Sequence, residues 1–230
     1  MWSLEDCSVR YGYVARKILC LDMIPTYSEV VNLVRCLGDD GWRHFCSKYS
    51  LFNVETKEFV FALADILRSL PNPKVEVCAG RGKLSFWLRR LGVDIIATDD
   101  YSWKLWGKRF CVERLSIEEA LEKYNPQTVL GSWIPANEKY GVEILCFPSV
   151  RYFIDIGEGP SADSSWMNAI NFDSIRKYAD DLGYDVVFLP ISHWAVAQTD
   201  KPTSWGITTK TKVLLFIRRK TNHTELQFKV

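Results

Sequence analysis

The segment Val75-Glu76-Val77-Cys78-Ala79-Gly80-Arg81-Gly82 concentrates the chemistry that can be read from this chain. Its apolar residues make a short strand and its two glycines make a turn. A helix pattern follows from Lys83 to Leu91. A second strand, Val93 to Thr98, is tipped by Asp99 and Asp100. A strand, a glycine turn, a helix and an acid-tipped strand build a site for a nucleotide-type cofactor. The third glycine of a dinucleotide fingerprint falls at Ser85, where a helix normally packs close beside a pyrophosphate. A turn with two glycines, preceded by the acid Glu76, suits a ligand without phosphates. Asp99 can accept both hydroxyls of a ribose. A sulfonium or an ammonium needs no phosphate cradle and tolerates nearby carboxylates.

Other candidates stand where strands end, the edge at which open α/β sheets bind ligands. Glu158 lies between two glycines after a strand at Arg151 to Ile156. It is a candidate acid or base, or else a solvated loop acid. His193 follows a strand at Tyr184 to Leu189, as a candidate base or a structural histidine. Trp133 closes a strand at Thr128 to Trp133 and can stack on a flat ligand, as can Trp194; core packing accounts for either equally well. Cys78 sits within its strand and reads as core. Lys104, Lys108, Arg109 and Arg114 surround Trp103 and Trp106, a mixture that can meet nucleic acid or simply form a solvated face.

These residues need a scaffold, and the chain is long enough for one. It has 230 residues, of which 47% are hydrophobic and 25% charged, ordinary for a soluble globular protein. One large domain is the economical reading. The net charge of +1 exerts no global pull toward nucleic acid or membrane. Seven cysteines, with no Cys-x-x-Cys pair, read as buried reduced thiols in a cytoplasmic protein. None of the three histidines stands at a metal-ligand spacing, and no metal is expected. No apolar run approaches the roughly 20 residues of a membrane span.

Residues 1–73 read as a helical extension. Tyr13 to Leu21 is a short helix or an edge strand. Tyr27 to Leu37 is helical, Gly38-Asp39-Asp40-Gly41 breaks it, and a second piece covers Trp42 to Tyr49. Thr56 to Leu70 is an amphipathic helix stopped by Pro71-Asn72-Pro73. Residues 74–230 read as an α/β domain. Its remaining elements are a short strand at Cys111-Val112 and a helix from Ile117 to Tyr124, which opens on a Ser116/Glu119 capping box. A short helix at Ala136 to Tyr140 and a longer one from Ser165 to Leu182, with Trp166, Ile170, Ile175, Tyr178 and Leu182 mostly inward, come next. A strand at Thr211 to Arg218 and a tail strand at Leu226 to Val230 close the chain. Strands alternating with helices indicate a mostly parallel sheet covered on both faces. The last apolar strand follows its predecessor through loop, which makes an antiparallel hairpin.

Residues 75–100 resemble the first two motifs of the class I S-adenosylmethionine-dependent methyltransferases. The wider pattern is similar to a little-described methyltransferase-like group. It runs through Glu76 to Gly82, Val93 to Asp99, Val112-Glu113, Leu130-Gly131-Ser132-Trp133-Ile134-Pro135 and Ile156-Gly157-Glu158-Gly159. The resemblance implies a Rossmann-like, mostly parallel seven-stranded sheet of order 3-2-1-4-5-7-6, its last strand antiparallel. Residues 1–73 then become a helical extension or lid. It implies S-adenosylmethionine as cofactor and methyl transfer to an unidentified acceptor, whether small molecule, protein or nucleic acid.

The implied cofactor residues are Glu76, Ala79, Gly80 and Gly82 around the methionine end. Asp99 would take the ribose, Asp100 the ribose or adenine, and Val112 and Glu113 the adenine. Ser132 and Trp133 would stand where the methyl meets its acceptor. Glu158, His193 and Trp133 are the catalytic candidates. Gly-Ser-Trp-Ile-Pro replaces the Asn/Asp-Pro-Pro-aromatic tetrad of amino-methyltransferases, so adenine or glutamine N-methylation is not implied. Two other readings stay open: a non-catalytic methyltransferase-like interaction module, and an NAD-dependent oxidoreductase. The second calls for a third fingerprint glycine and a Tyr-x-x-x-Lys site, and neither is in place.

Overall fold

The structure, a computed structural model, describes residues 4–20, 23–135, 140–158, 172–208 and 210–220. The chain begins with helices α1 (Leu4–Leu19) and α2 (Tyr27–Tyr49), a two-residue strand β1 (Asn53–Val54) and helix α3 (Lys57–Ser69). A capping box opens α2: the Thr26 hydroxyl accepts from Glu29 N at 3.3 Å, and the Glu29 carboxylate accepts from Thr26 N at 2.8 Å. The expected break falls at Gly38, whose φ of 69° and ψ of 178° kink α2 without ending it. Tyr13 to Leu19, read as helix or edge strand, is helix.

The sheet strands are β2 (Lys74–Val77), β3 (Ile96–Asp99), β4 (Val112–Arg114), β5 (Thr128–Ser132), β6 (Tyr152–Gly157), β7 (Tyr184–Phe188) and β11 (Lys212–Arg218). Their spatial order is β4-β3-β2-β5-β6-β11-β7. Counting only these seven strands, that is 3-2-1-4-5-7-6, as the resemblance implies. β11 pairs antiparallel with both β6 and β7, and the other pairs are parallel.

The period-two alternation of the strands sorts the core into two layers. Val75, Val77, Val129, Phe153 and Phe216 face helices α5 (Ile117–Tyr124), α6 (Tyr140–Cys146) and α7 (Phe172–Asp181). Leu130, Ile154, Ile156, Val213 and Leu215 face α3 and α4 (Lys83–Arg90). The stripe Phe59, Val60, Leu63, Ala64 and Leu67 buries α3 on the sheet. A third cluster joins Val14 and Ile18 of α1 to Val30, Val34 and Trp42 of α2 and to Val196.

Between β7 and β11 lie a 3-10 turn (Pro190–Trp194) and short strands β8 (Val196–Ala197), β9 (Pro202–Thr203) and β10 (Gly206–Ile207). β8 pairs with β1, and the Trp42 indole N–H reaches the Ala197 carbonyl at 2.9 Å. The amino-terminal helices are thereby fastened to the far end of the chain. None of these two-residue bridges was visible as a sequence pattern.

Several expectations need adjustment. Cys146 ends α6, and both it and Cys111 are exposed rather than buried. The expected helix over 165–182 is described only from Phe172, where Ile175 is buried but Tyr178 faces outward and is exposed. Trp166 and Ile170 lie outside the described residues, as do most of the 136–140 helix and the tail strand at 226–230. Among the described residues no helix is long and apolar enough to cross a membrane.

The tightest packing sits at the turn after β2. Gly82 has φ +73°, and a Cβ there would strike the Val112 side chain and come within 2.9 Å of the Phe110 carbonyl oxygen. Gly92 has φ +81° but open space around it. Gly82→Ala is expected to destabilise the fold by more than about 3 kcal/mol, because left-handed strain and a backbone clash add. Gly92→Ala should cost only the conformational part, about 1–2 kcal/mol. Urea denaturation of the two variants compares them directly.

Candidate functional site

A cavity of about 180 Å³ lies at the carboxyl ends of β2, β3 and β5. Its floor is the turn after β2. Cys78 and Gly80 both take left-handed backbone there, with φ of 50° and 57°. Cys78 is a strained position for a residue with a Cβ. Burial, together with the Asp99, Asp100 and Glu76 charges, pushes its thiol up to about 12. A thiol so far from ionising is a wall residue, not a nucleophile.

Glu76 anchors the turn. Its side chain projects from the α3/α4 face of β2 and is 2% exposed. One carboxylate oxygen accepts from Ser85 N at 3.1 Å and also from the Ser85 hydroxyl. Ser85 is the third residue of α4, whose N-cap, Gly82, has no side chain to offer. Glu76 therefore supplies the cap from the neighbouring strand and satisfies one of the unpaired N–H groups of the helix start. Burial, reinforced by the Glu55 charge, outweighs the Ser85 hydrogen bonds and lifts Glu76 to about 7.

Asp99 ends β3 and is bound on both oxygens. Oδ2 accepts from Gly80 N and Oδ1 from Tyr101 N, each at 2.9 Å. A carboxylate oxygen has two acceptor sites, so each keeps one for a ligand hydroxyl, with the Arg109 guanidinium forming an ion pair 3.9 Å from Oδ1. Burial raises Asp99 above the usual carboxylate value, with those two hydrogen bonds opposing. Asp100 lines the same wall, and its Oδ1 accepts from Ser102 N at 2.8 Å.

The loop from 100 to 111 roofs the turn. Phe110 N donates to the Arg81 carbonyl at 2.8 Å, and the Arg81 guanidinium lies 5.2 Å from the ring centres of both Trp106 and Phe110. Leu105 comes within 3.1 Å of where a Gly80 Cβ would stand. Trp106 meets Tyr49 edge-on at 4.9 Å, and its backbone N–H donates to the Ser50 hydroxyl at 3.1 Å. Arg109 stacks 3.8 Å above Tyr101. Much of the basic–aromatic cluster is thus committed to the protein itself.

Across the cavity stand Ser132 and Trp133. Trp133 is 8% exposed and has φ +55°, an outlier for so bulky a residue. Its backbone N–H donates to the Ile156 carbonyl at 2.7 Å. Phe52 stacks with it at 6.5 Å and meets Trp103 at 5.5 Å.

The structure therefore brings Glu76, Ala79 and Gly80 into one cavity wall, with Asp99, Asp100, Ser132 and Trp133 completing it. The remaining candidates lie outside the lining. Gly82 serves packing against β4, and Val112 provides the surface it packs on. Glu113 accepts from Lys123 and Tyr124, and those bonds hold its carboxyl below the usual range. Glu158 accepts from the Thr199 hydroxyl. His193 is exposed, its Nδ1–H donates to the Pro190 carbonyl, and its ring lies 4.3 Å from that of Trp194.

Residues 50–55 are the part of the wall that sequence reasoning missed. Ser50, Leu51, Phe52, Asn53 and Glu55 all line the cavity. They arrive there through the β1–β8 bridge, and no local periodicity announces such a contact. Lys83 was also missed as a wall residue. Its ammonium meets Glu55 Oε2 at 2.9 Å and donates to the Ile18 carbonyl at 2.6 Å. The Glu55 contact is an ion pair whose angles fall short of a hydrogen bond. No group of His, Cys, Asp and Glu able to hold a metal occurs among the described residues.

No protein-family model matches the chain, and no curated protein does. Solved structures do. The magnesium protoporphyrin IX methyltransferase of Synechocystis PCC 6803 is similar at 16% identity and a TM-score of 0.48, over 93% of this chain and 94% of that one. A SAM-dependent O-methyltransferase from Thermotoga maritima is similar at 10% identity and a TM-score of 0.46, over 77% and 71%. At these scores the likeness is loose and says nothing of ligand or reaction.

The raised Glu76 value makes a prediction about stability. An acid whose value rises on folding binds its proton more tightly in the native state. Its contribution is fully present below about 4.5 and is lost as pH rises through about 7. The displacement corresponds to about 3 kcal/mol. Thermal melts of wild type and Glu76→Gln between pH 5 and 8 should show wild type losing stability relative to the variant as pH rises. A constant difference across that range would contradict the assignment.

Proposed function

We propose that the cavity binds S-adenosylmethionine and that the protein transfers its methyl group to an acceptor. The observation that carries this reading is the Glu76 cap on α4. In dinucleotide-binding folds the pyrophosphate sits at the N-terminus of this helix. Here a carboxylate of the protein already takes one N–H group of that helix start, Ser85 N. The lining adds Asp99 and Asp100 on the acidic side, and Glu55 is paired with Lys83. Its cations are already engaged, Lys83 by Glu55 and the Ile18 carbonyl, Arg81 by the aromatic roof. A diphosphate would meet like charge, whereas a sulfonium and an ammonium would meet opposite charge. The NAD-dependent alternative loses its main support on this ground.

The residues present fit such a cofactor. Asp99 holds two unused acceptor sites for ribose hydroxyls, and the Gly80 turn leaves the floor without a side chain. Bound there, the cofactor would supply an electrophilic methyl carbon. The protein's share is to orient, to shield from water and to hold the acceptor in line. Glu158 and His193 do not enter the cavity as it stands. The reading therefore assigns the rate enhancement to positioning and desolvation, with Trp133 as the wall against the acceptor. Residues 50–55 would act as one side of the cofactor chamber, which extends the role proposed for segment 1–73.

One observation favours a second reading. The cavity is smaller than the roughly 300–1,000 Å³ of typical ligand pockets, and Leu105 leans over the Gly80 turn. A methyltransferase-like module that has closed its cofactor site and serves interaction alone would have this form. Calorimetric titration separates the two. Micromolar binding of S-adenosylmethionine and S-adenosylhomocysteine, weakened at least tenfold by Asp99→Ala, with NAD not bound, is the result expected for the enzyme. Folded protein that binds neither would shift the conclusion to the interaction module.

A further inference from the structure

The acceptor side of the cavity holds two buried polar atoms with nothing to bind. The Trp133 indole N–H and the Asn53 side-chain carbonyl oxygen are shielded from water and have no hydrogen-bond partner among the described residues. Both residues are 8% exposed, and both line the cavity. An unpaired buried donor or acceptor costs about 1–3 kcal/mol, so native proteins keep few of them. Here one of each kind stands in the wall of a single cavity.

The wall around them is flat and apolar. Phe52 lies in the chain between α2 and Asn53, and its ring stacks on Trp133 with an interplanar angle of 27°. Trp103 adds a third ring, 5.5 Å from Phe52 and tilted to it by 57°. Trp133 is also held in a left-handed backbone conformation. Such a conformation costs about 1–3 kcal/mol and persists at sites where surrounding structure imposes it. A stacking surface with one donor and one acceptor at its margin is complementary to a planar ring, not to a flexible chain. The Asp99 and Asp100 carboxylates of the lining disfavour a phosphate-bearing ligand at the same time.

We propose that Phe52, Asn53, Trp103 and Trp133 form a subsite for a neutral aromatic heterocycle with a lactam-type edge. The ring carbonyl accepts from the Trp133 N–H, and the adjacent ring N–H donates to the Asn53 carbonyl. The proposal deepens the methyl-transfer reading, on which it rests, by naming the class of its acceptor.

The test uses the full chain and two bicyclic probes of nearly equal shape. 2-Quinolinone carries the lactam edge, and quinoline carries a ring acceptor without the neighbouring donor. Each is titrated by calorimetry into wild type, Trp133→Phe and Asn53→Leu, with and without S-adenosylhomocysteine. Wild type should bind 2-quinolinone at least tenfold more tightly than quinoline. Asn53→Leu should erase that preference while leaving quinoline unchanged, and Trp133→Phe, which keeps a ring but removes the N–H, should weaken both probes. Equal binding of the two probes by wild type, or no binding of either, would overturn the subsite whether or not the variants fold. A preference unmoved by both substitutions would overturn it as well. S-adenosylhomocysteine binding in the same samples reports separately on the cofactor. If it binds while the lactam preference is absent, the subsite fails and methyl transfer stands. If the preference appears without it, the subsite is supported and the cofactor reading fails.

Discussion

The arrangement of the site depends on one buried carboxylate. Glu76 alternates with Val75 and Val77 along β2, so its side chain projects into the layer that otherwise buries leucines and isoleucines against α3 and α4. Such a group is costly there unless hydrogen-bonded. The Ser85 N–H and hydroxyl meet that need, and in doing so they fix where α4 begins. The position of α4 sets the turn, the turn sets Gly80, and Gly80 N in turn holds the Asp99 carboxylate. A chain of three hydrogen bonds thus links β2 to the tip of its neighbour. Its chemical consequence is that one N–H group at the start of α4 is taken by a carboxylate from within.

A second constraint comes from outside the sheet. Lys83 ties the turn to Glu55 and to the last turn of α1. Ser50 and Tyr49 support the loop that roofs it. β1 is held by β8, and Gln198 N donates to the Phe52 carbonyl at 3.1 Å. The cavity wall is therefore composite, with strand ends on one side and the segment between α2 and α3 on the other. Asp200 stabilises that junction. It is fully buried, it accepts from Ala197 N at 2.9 Å and from Lys210 N at 3.0 Å, and burial raises it to about 6.

The scaffold was largely legible because it rests on periodicity and on capping chemistry. The β2 strand, the amphipathic α3 with its Thr56 cap and the α5 capping box each announce themselves within a few residues. The order of the sheet came from resemblance, and the antiparallel β11 from the loop that precedes it. The half of the site built on strand ends was readable for the same reason: Glu76, Gly80 and Asp99 stand at fixed offsets from strands. Gly82 shows the limit of that reasoning. Its spacing suggested a ligand-facing residue, but its hydrogen atoms point into the packing of β4. Glu113 shows another, since nothing local reveals that Lys123 and Tyr124 will claim its carboxylate. The 50–55 wall could not be read at all, because a two-residue bridge between distant segments has no period.

The central claim is that this turn, capped by its own carboxylate, receives a cationic or neutral group and not a phosphate. Calorimetric affinities of adenosine, S-adenosylhomocysteine and ADP for the wild-type protein test it most directly, since the three share one nucleoside. Extending adenosine with homocysteine should tighten binding, and extending it with a diphosphate should weaken it. ADP bound more tightly than adenosine would contradict the account.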